Sequence, residues 1–237
     1  MSFSEFLKSH THVFSTVIRY RKTYENYLGV IIQIIRKKYP IKAILRNGQC
    51  VMLNNHFEAY STLLGLRDFL QSSNDIMIVS TKDLLKIKLY DSINNGDIIG
   101  VFLREEYRSL PVKGKTIIDI GANIGDSAIY FAMHGADKVI ALEPYPKNCE
   151  IAKKNIELNN LSNKINLVLA GCSSICGTIT IDPEKARSVM SSLQESTNGI
   201  DVPIMTLESI LKVNNINSAL LKMDCEGCEY EAILSSS

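Results

Sequence analysis

The residues best suited to chemistry lie in one short segment, TIIDIGANIGDS, which runs from Thr116 to Ser127. Four of its first five residues are β-branched and favour a buried strand, with the acid Asp119 near the carboxyl end. Gly121 and Gly125 then allow a sharp turn and a close approach of the backbone to a ligand. The helix expected next would direct its free N–H groups to the same point. The segment therefore predicts a nucleotide-cofactor site.

The spacing of the glycines indicates which cofactor this turn accepts. A dinucleotide-binding turn has the pattern G-x-G-x-x-G around a pyrophosphate, but Asn123 occupies the middle glycine position here and an acid precedes the first glycine. A sulfonium amino acid has no pyrophosphate, and a carboxylate stabilises its ammonium group. We therefore expect S-adenosylmethionine. The residues expected to bind it at the turn are Asp119, Gly121, Ala122, Asn123 and Gly125.

Further acids follow two other predicted strands and should meet this turn. Glu143, before Pro144, ends the apolar part of KVIALEPY and is placed to accept both ribose hydroxyls. Asp224 and Glu226 follow the apolar start of ALLKMDCEGCEYEAIL. Because open α/β sheets bind ligands at the carboxyl ends of their strands, Asp119, Glu143 and Asp224 should converge.

Lys222 is expected to be buried beside these acids. Period-two alternation places it on the same face as Asp224, in a strand that should be covered on both faces. An unpaired buried lysine is very costly, so Lys222 should pair with Asp224 or Glu226. That pair either is purely structural or lines the pocket. For a hydroxyl acceptor, Asp224 or Glu226 is the candidate general base, and the predicted catalytic residues are Lys222, Asp224 and Glu226.

These segments resemble the FkbM family of S-adenosylmethionine-dependent methyltransferases, within the Rossmann-like class I group. The resemblance rests on DIGANIGDSAIYFA from Asp119, ALEPYPKNCEIAKKNIELN from Ala141, VPIMTLESIL from Val202 and KMDCEGCEY from Lys222. It implies O-methylation of a glycan, lipid or secondary metabolite. It extends over about residues 107–234. The implied cofactor-binding residues are Tyr107, Asp119, Gly121, Ala122, Asn123, Gly125, Glu143, Pro144 and Asp224.

Two other classes of protein stay open. A nicotinamide-dependent oxidoreductase would share the strand, the turn and the ribose acid, but the missing middle glycine and the block from Lys222 to Glu226 argue against it. A non-catalytic cofactor-binding or assembly protein on the same fold is the stronger alternative. Turnover of S-adenosylmethionine would separate it from an enzyme.

Strands alternate with helices from residue 111 onward, which predicts a doubly wound, mostly parallel α/β sheet in a methyltransferase domain over 111–237. Residues 1–110 are expected to form an N-terminal helical and β-hairpin region. The elements predicted there are a long amphipathic helix over 3–35, a hairpin at Asn47–Gly48, a helix over 56–71 and strands over 76–103. A class I sheet continues beyond the strand that ends at Asp224. We therefore expect either a truncated chain or N-terminal strands that complete the sheet.

The composition of the chain limits the classes of partner that are expected. The net charge of +1 gives no support for a nucleic-acid partner. Neither a secretory segment nor a transmembrane segment is predicted, so we expect a cytoplasmic protein with a small-molecule, glycan or lipid acceptor. The basic N-terminal helix either packs with a solvated polar face or contacts a second copy or a membrane surface. The spacing of Cys172, Cys176, Cys225 and Cys228 is compatible with zinc. We expect instead free thiols that pack as small apolar side chains, with no metal and no disulfide.

Overall fold

The computed structural model describes residues 16–65, 70–73, 76–81, 83, 85–90, 98–183, 196, 199–225 and 227–234. The chain divides into two compact units, Met1–Ser80 and Thr81–Ser237. A methyltransferase domain that begins at residue 111 stays a prediction. Within the described residues, none of the helices combines the length and the apolar character that a bilayer crossing needs.

The first unit combines helices with antiparallel strands. Its elements are α1 (Tyr27–Ile35), β1 (Ile41–Ile44), β2 (Cys50–Leu53), α2 (His56–Leu63), β3 (Leu70–Ser73) and β4 (Ile76–Ser80). Strands β1 and β2 form the predicted hairpin, and Gly48 in its turn has a φ of 82°, so that prediction is confirmed. The helix predicted over 56–71 is too long, because residues 70–73 belong to β3.

The single N-terminal helix predicted over residues 3–35 is wrong in its described part. Residues 16–23 are helical, but the chain leaves the helix at Tyr24 before α1 begins. The Tyr24 ring is fully buried, and its hydroxyl donates to the carbonyl oxygen of Ala59 at 3.2 Å. The Asn26 side chain bonds two backbone groups of β1, at 2.9 Å each. These contacts are distant in sequence, so helical periodicity alone does not reveal them.

The second unit alternates strands and helices along most of its length. Its elements are β5 (Lys86–Tyr90), a π-helix (Ile99–Leu103), β6 (Thr116–Ile120), α3 (Asp126–Met133), β7 (Lys138–Glu143), α4 (Pro146–Leu158), β8 (Ile165–Leu169), β9 (Gly171–Cys172), β10 (Gly177–Ile181), β11 (Ile200–Met205), α5 (Leu207–Val213), β12 (Leu220–Met223) and α6 (Glu229–Leu234). The strand predicted up to residue 103 is wrong, since the chain there is helical.

The central sheet of this unit is parallel in the order β12-β6-β7-β8. One face packs under α5 and α6 through a core that includes Ile118, Ile120, Ile140 and Leu142. On the other face, Ser127 of α3 bonds a side chain of β6. Helices on both faces of a parallel sheet make a doubly wound, Rossmann-like α/β fold, as predicted. All four strands therefore end at the same edge of the sheet.

Candidate cofactor-binding site

The turn between β6 and α3 has the strained backbone that its glycines suggest. Gly121 and Gly125 have φ values of 78° and 84°, and Asn123 between them has a φ of 48°. The N–H groups of Gly121 and Ala122 both donate to the carbonyl oxygen of Leu142 in β7, at 3.0 and 2.9 Å. The turn is thereby fixed against the neighbouring strand, and Gly125 forms the N-cap of α3.

The missing side chains of the two glycines face protein rather than open space. A Cβ atom on Gly121 would collide with the carbonyl oxygen of Asp224 and would lie 2.8 Å from its carbonyl carbon. A Cβ atom on Gly125 would lie 3.2 Å from the Cβ atom of Ala152 in α4. Packing therefore requires Gly121, which lets the end of β12 approach the turn, whereas the contact at Gly125 is tight and favours a close approach of α4 to α3.

Glu143, at the end of β7, is bound to the same turn. Its Oε2 accepts the backbone N–H of Asn123 at 2.8 Å, and its Oε1 accepts the backbone N–H of Tyr145 at 3.0 Å and the side-chain amide of Asn148 at 3.3 Å. Burial raises the pKa of Glu143 to about 7, although these donors oppose the shift. Pro144 follows directly and is partly buried.

Asn148 adds an unusual feature beside Glu143. Its side-chain oxygen Oδ1 is buried and has no hydrogen-bond partner among the described residues. A buried acceptor without a donor is costly, and such atoms call for an explanation such as a ligand. The pair Glu143 and Asn148 thus presents acceptor atoms at the carboxyl end of β7, where a ligand with hydroxyl donors would satisfy them.

Lys222 pairs with Asp119, so its predicted pairing with Asp224 or Glu226 is corrected. The Nζ atom lies 3.0 Å from Asp119 Oδ1 and donates to the carbonyl oxygen of Gly121 at 2.9 Å. The two residues are register neighbours on β12 and β6. Burial is the largest single influence and disfavours the ammonium, but Asp119, Tyr107 and Asp224 together outweigh it and raise the pKa of Lys222. Asp224 lies beyond the strand end and is exposed, which explains why the nearer acid is the partner.

Asp119 is fully buried at the start of the turn. Its Oδ2 accepts the hydroxyl of Ser127 at 2.6 Å, while Oδ1 faces the Lys222 ammonium and has no well-aligned hydrogen bond within the part of the chain that the structure describes. Asp119 therefore ties together β6, β12 and the first turn of α3. Its predicted contact with the cofactor ammonium stays a prediction.

Tyr107 reaches the site from the segment before β6. Its half-buried ring packs on Phe131 of α3, with 5.1 Å between ring centroids. Burial raises the pKa of Tyr107 to about 12; Lys222 lowers it, and Asp119 and Asp224 raise it. The Tyr107 phenol therefore interacts electrostatically with the ion pair and with Asp224.

The loop after β12 differs from the expectation of free thiols. Cys225 and Cys228 form a disulfide, so the expected absence of disulfides is wrong. The Glu229 carboxylate holds this loop by accepting the N–H groups of Cys225 and Gly227 at 2.9 and 2.8 Å. Glu226, a predicted catalytic residue, lies outside the described residues.

A cavity of about 490 Å³ borders the same loop. Its lining includes all four cysteines that suggested a zinc site, namely Cys172, Cys176, Cys225 and Cys228. Zinc binds thiolates, and the two cysteines joined in the disulfide are not thiolates. Burial also raises the pKa of the Cys172 thiol to about 11. The cavity is therefore not a zinc site in this state.

The structure thus brings most predicted site residues together at one edge of the sheet. These are Tyr107, Asp119, Gly121, Ala122, Asn123, Gly125, Glu143, Pro144, Lys222 and Asp224. Sequence reasoning missed the supporting residues Ser127, Asn148, Asn155 and Glu229. Asn155 donates to the carbonyl oxygen of Ile124 at 2.8 Å and so braces the turn from α4. A signal existed for Ser127, Asn148 and Glu229, which lie in the first turns of helices that begin at the site, but not for Asn155.

Comparison with known proteins shows similarity to methyltransferases. Residues 119–237 match the family model described as the methyltransferase FkbM domain. Ribosomal protein L11 methyltransferase of Carboxydothermus hydrogenoformans is 38% identical over 55 residues, which cover 23% of this chain and 18% of that protein. Methyltransferase sdnD of Sordaria araneosa is 26% identical over 153 residues, covering 49% and 58%. The chain spans less than two thirds of the length of either relative.

Solved structures show only distant likeness. The C-terminal domain of precorrin-6Y C5,15-methyltransferase from Rhodobacter capsulatus has a TM-score of 0.25 and 27% identity, with 26% of this chain and 33% of that chain covered. Wild-type Trm5b from Pyrococcus abyssi has a TM-score of 0.33 and 20% identity, with 44% and 32% covered. Scores this low support no statement about function.

Proposed function

Since the chain belongs to the FkbM methyltransferase family, we propose that it transfers the methyl group of S-adenosylmethionine to a hydroxyl group of a glycan, lipid or secondary metabolite. The observation that carries this proposal is the position of Glu143. Its carboxylate is buried at the end of β7 and is fixed by the N–H group of Asn123 in the turn between β6 and α3. It lies beside the Asn148 oxygen that has no partner among the described residues.

The residues at this edge fit a cofactor that carries a ribose. Glu143 and Asn148 would accept its hydroxyl donors, and the turn from Gly121 to Gly125 would hold its amino-acid part. A pyrophosphate is a poorer fit, because the Glu143 carboxylate lies against the turn without a cationic partner among the described residues and, when ionised, would repel its charge. When bound, S-adenosylmethionine supplies a methyl group that its sulfonium has already activated.

The residues of the chain would then mainly align the acceptor and exclude water. Asp224, exposed at the end of β12, is the candidate base for a hydroxyl acceptor, and Glu226 is the second candidate. Tyr107 is a poor base, because its pKa of about 12 keeps the phenol protonated near neutral pH. It can instead donate a hydrogen bond to a ligand.

The acceptor class rests on the family resemblance. The relatives' names describe those proteins, and the matched segments cover 18% and 58% of their lengths. A cytoplasmic location and contact with a second copy or a membrane surface through residues 1–35 stay predictions. Part of that segment lies outside the described residues, and its described part is not one continuous helix.

Cofactor affinity should rise with pH between 6 and 8. Because the pKa of Glu143 is about 7 in the free protein and ribose hydroxyls donate to the ionised form, binding must release a proton at low pH. We expect S-adenosylmethionine to bind about tenfold more tightly at pH 8 than at pH 6 through this group. Glu143→Gln removes the titration, so calorimetry on both proteins isolates the effect from titration of the ligand. If the ratio of the affinities at pH 8 and pH 6 is the same in the variant, the assignment of Glu143 to the ribose hydroxyls is contradicted.

The raised pKa of Glu143 also affects the stability of the folded chain. Cofactor affinity should rise with pH, whereas the free energy of unfolding should fall. Folding raises the pKa of Glu143 above its ordinary value of 4.5. The folded state therefore holds this proton more tightly than the unfolded state. In the absence of ligand, the contribution of this group is complete below pH 4.5 and is lost as the pH rises through about 7.

Turnover separates an enzyme from a cofactor-binding protein on the same fold. The full chain is incubated with S-adenosylmethionine and panels of hydroxylated glycans, lipids and small metabolites, and formation of S-adenosylhomocysteine is measured. Acceptor-dependent formation supports the proposal, and Asp224→Asn should reduce it. Binding without turnover on any panel would favour the non-catalytic alternative, and preferential binding of NAD would favour an oxidoreductase.

A further inference from the structure

Three side chains at the C-terminal end of α3 form a second cluster, separate from the turn between β6 and α3. Asp83, Glu105 and His134 each offer one ligand atom, and these atoms all lie within 4.8 Å of one another. They come from three segments: the turn before β5, the turn after the π-helix and the C-cap of α3. An ion central to three such atoms would lie at most about 2.8 Å from each, so small side-chain movements would bring them to the roughly 2.0 to 2.2 Å of zinc bonds.

His134 is oriented as metal-binding histidines are. Its Nδ1 lies 2.8 Å from the carbonyl oxygen of Tyr130. A carbonyl oxygen only accepts, so Nδ1 carries the proton, and Nε2 of the neutral ring is left with the lone pair that a metal needs. The ring also stacks on Tyr130, with 3.9 Å between centroids. A backbone acceptor that fixes the tautomer is the usual support of a histidine ligand.

The charges around the cluster favour a cation. Asp83 and Glu105 contribute two carboxylates, and Arg108 neutralises one of them at 2.9 Å from Glu105. Glu105 is buried, whereas 71% of the Arg108 side chain is exposed, so the arginine can remain at the rim while a metal binds. The C-terminal end of α3 adds the negative end of a helix dipole.

We propose that Asp83, Glu105 and His134 form a binding site for a divalent first-row transition-metal ion. Imidazole with two carboxylates suits Zn²⁺, Co²⁺, Mn²⁺ or Fe²⁺, whereas Mg²⁺ and Ca²⁺ prefer oxygen ligands alone. The ion would tie three segments of the second unit together at the opposite end of α3 from Gly125. Its role is structural, and it is independent of methyl transfer.

The test is a titration of the full chain with CoCl₂ after treatment with a chelator. His10 and His12 lie two residues apart in the sequence and could bind Co²⁺ by themselves, so every protein carries His10→Gln and His12→Gln. We expect one ion per chain by calorimetry and visible absorption bands of Co²⁺ without a thiolate charge-transfer band. The missing band excludes the free cysteines as ligands. MgCl₂ should not compete.

Three substitutions, Asp83→Asn, Glu105→Gln and His134→Gln, should each weaken Co²⁺ binding at least tenfold. His56→Gln, at an exposed histidine in the other unit, is the matched control and should leave the affinity unchanged. Asp83 lies in an exposed turn, so its variant should fold even if the Glu105 variant does not. Absence of Co²⁺ binding, or unchanged affinity in both the Asp83 and His134 variants, would overturn the proposal.

Discussion

Gly121→Ala is expected to lower the free energy of unfolding of the second unit by about 2 to 5 kcal/mol. Two effects add. The new Cβ atom collides with the backbone carbonyl of Asp224, and relieving such overpacking costs about 1 to 3 kcal/mol. A φ of 78° also places the alanine in the left-handed region, which costs roughly 1 to 2 kcal/mol. Chemical denaturation followed by circular dichroism measures the sum.

Gly114→Ala separates these two effects. Gly114 has a φ of 69°, close to that of Gly121, but nothing lies within 4 Å of its added Cβ atom. The Gly114→Ala substitution should therefore lower the free energy of unfolding only through its left-handed backbone, by about 1 to 2 kcal/mol. Since the collision would push the turn away from β12, Gly121→Ala should also weaken cofactor binding, whereas Gly114→Ala should not. Equal effects of the two substitutions would show that β12 does not press on the turn.

Lys222→Met should be the most destabilising change at the ion pair. It removes the ammonium and leaves the buried Asp119 carboxylate with the Ser127 hydroxyl but without its cation. Breaking a buried pair in this way costs about 3 to 5 kcal/mol, mostly through the charge left uncompensated. The carbonyl oxygen of Gly121 also loses a donor at 2.9 Å. Denaturation midpoints at neutral pH measure the loss.

A second substitution tests the reason for this loss. Adding Asp119→Asn removes the stranded charge, so the double variant should be more stable than Lys222→Met alone. The control is Lys154→Met. Lys154 pairs with Glu150 at 2.6 Å, but both side chains are exposed, and this change should hardly affect stability. A double variant no more stable than Lys222→Met would mean that the loss reflects lost packing of the lysine stem.

The turn between β6 and α3 could be predicted from the sequence because the residues that form it are close together in the chain. Thr116 to Ser127 contains the strand, both glycines and the helix start, so spacing alone indicates a strand, a tight turn and a helix. The convergence of Glu143 and Asp224 with that turn follows from one general rule, that parallel strands end at a common edge. The order of the strands was not needed for either inference.

The partner of Lys222 could not be predicted, because it depends on strand register. Period-two alternation places Asp224 on the same face of β12, but Asp119 lies directly opposite Lys222 on the neighbouring strand. A sequence contains no direct record of which residues face each other across a sheet. The packing roles of Gly121 and Gly125 were missed for the same reason, since Asp224 and Ala152 are distant in sequence.

The N-terminal helix shows the limit of periodicity. Apolar spacing continues through Tyr24, yet the buried ring and the side chain of Asn26 make long-range contacts that end the helix there. Such contacts outweigh helix propensities of less than about 1 kcal/mol per residue.

The most direct test of the central claim is calorimetry with S-adenosylmethionine on the full chain and on Glu143→Ala. The chain should bind S-adenosylmethionine and should not bind NAD. The substitution removes charge-assisted bonds to the ribose, so we expect binding to weaken by about 1.5 to 3 kcal/mol, roughly 10- to 150-fold. Circular dichroism should show that the variant is folded. Absence of S-adenosylmethionine binding in the unmodified chain, or an unchanged dissociation constant in the folded variant, would contradict the account.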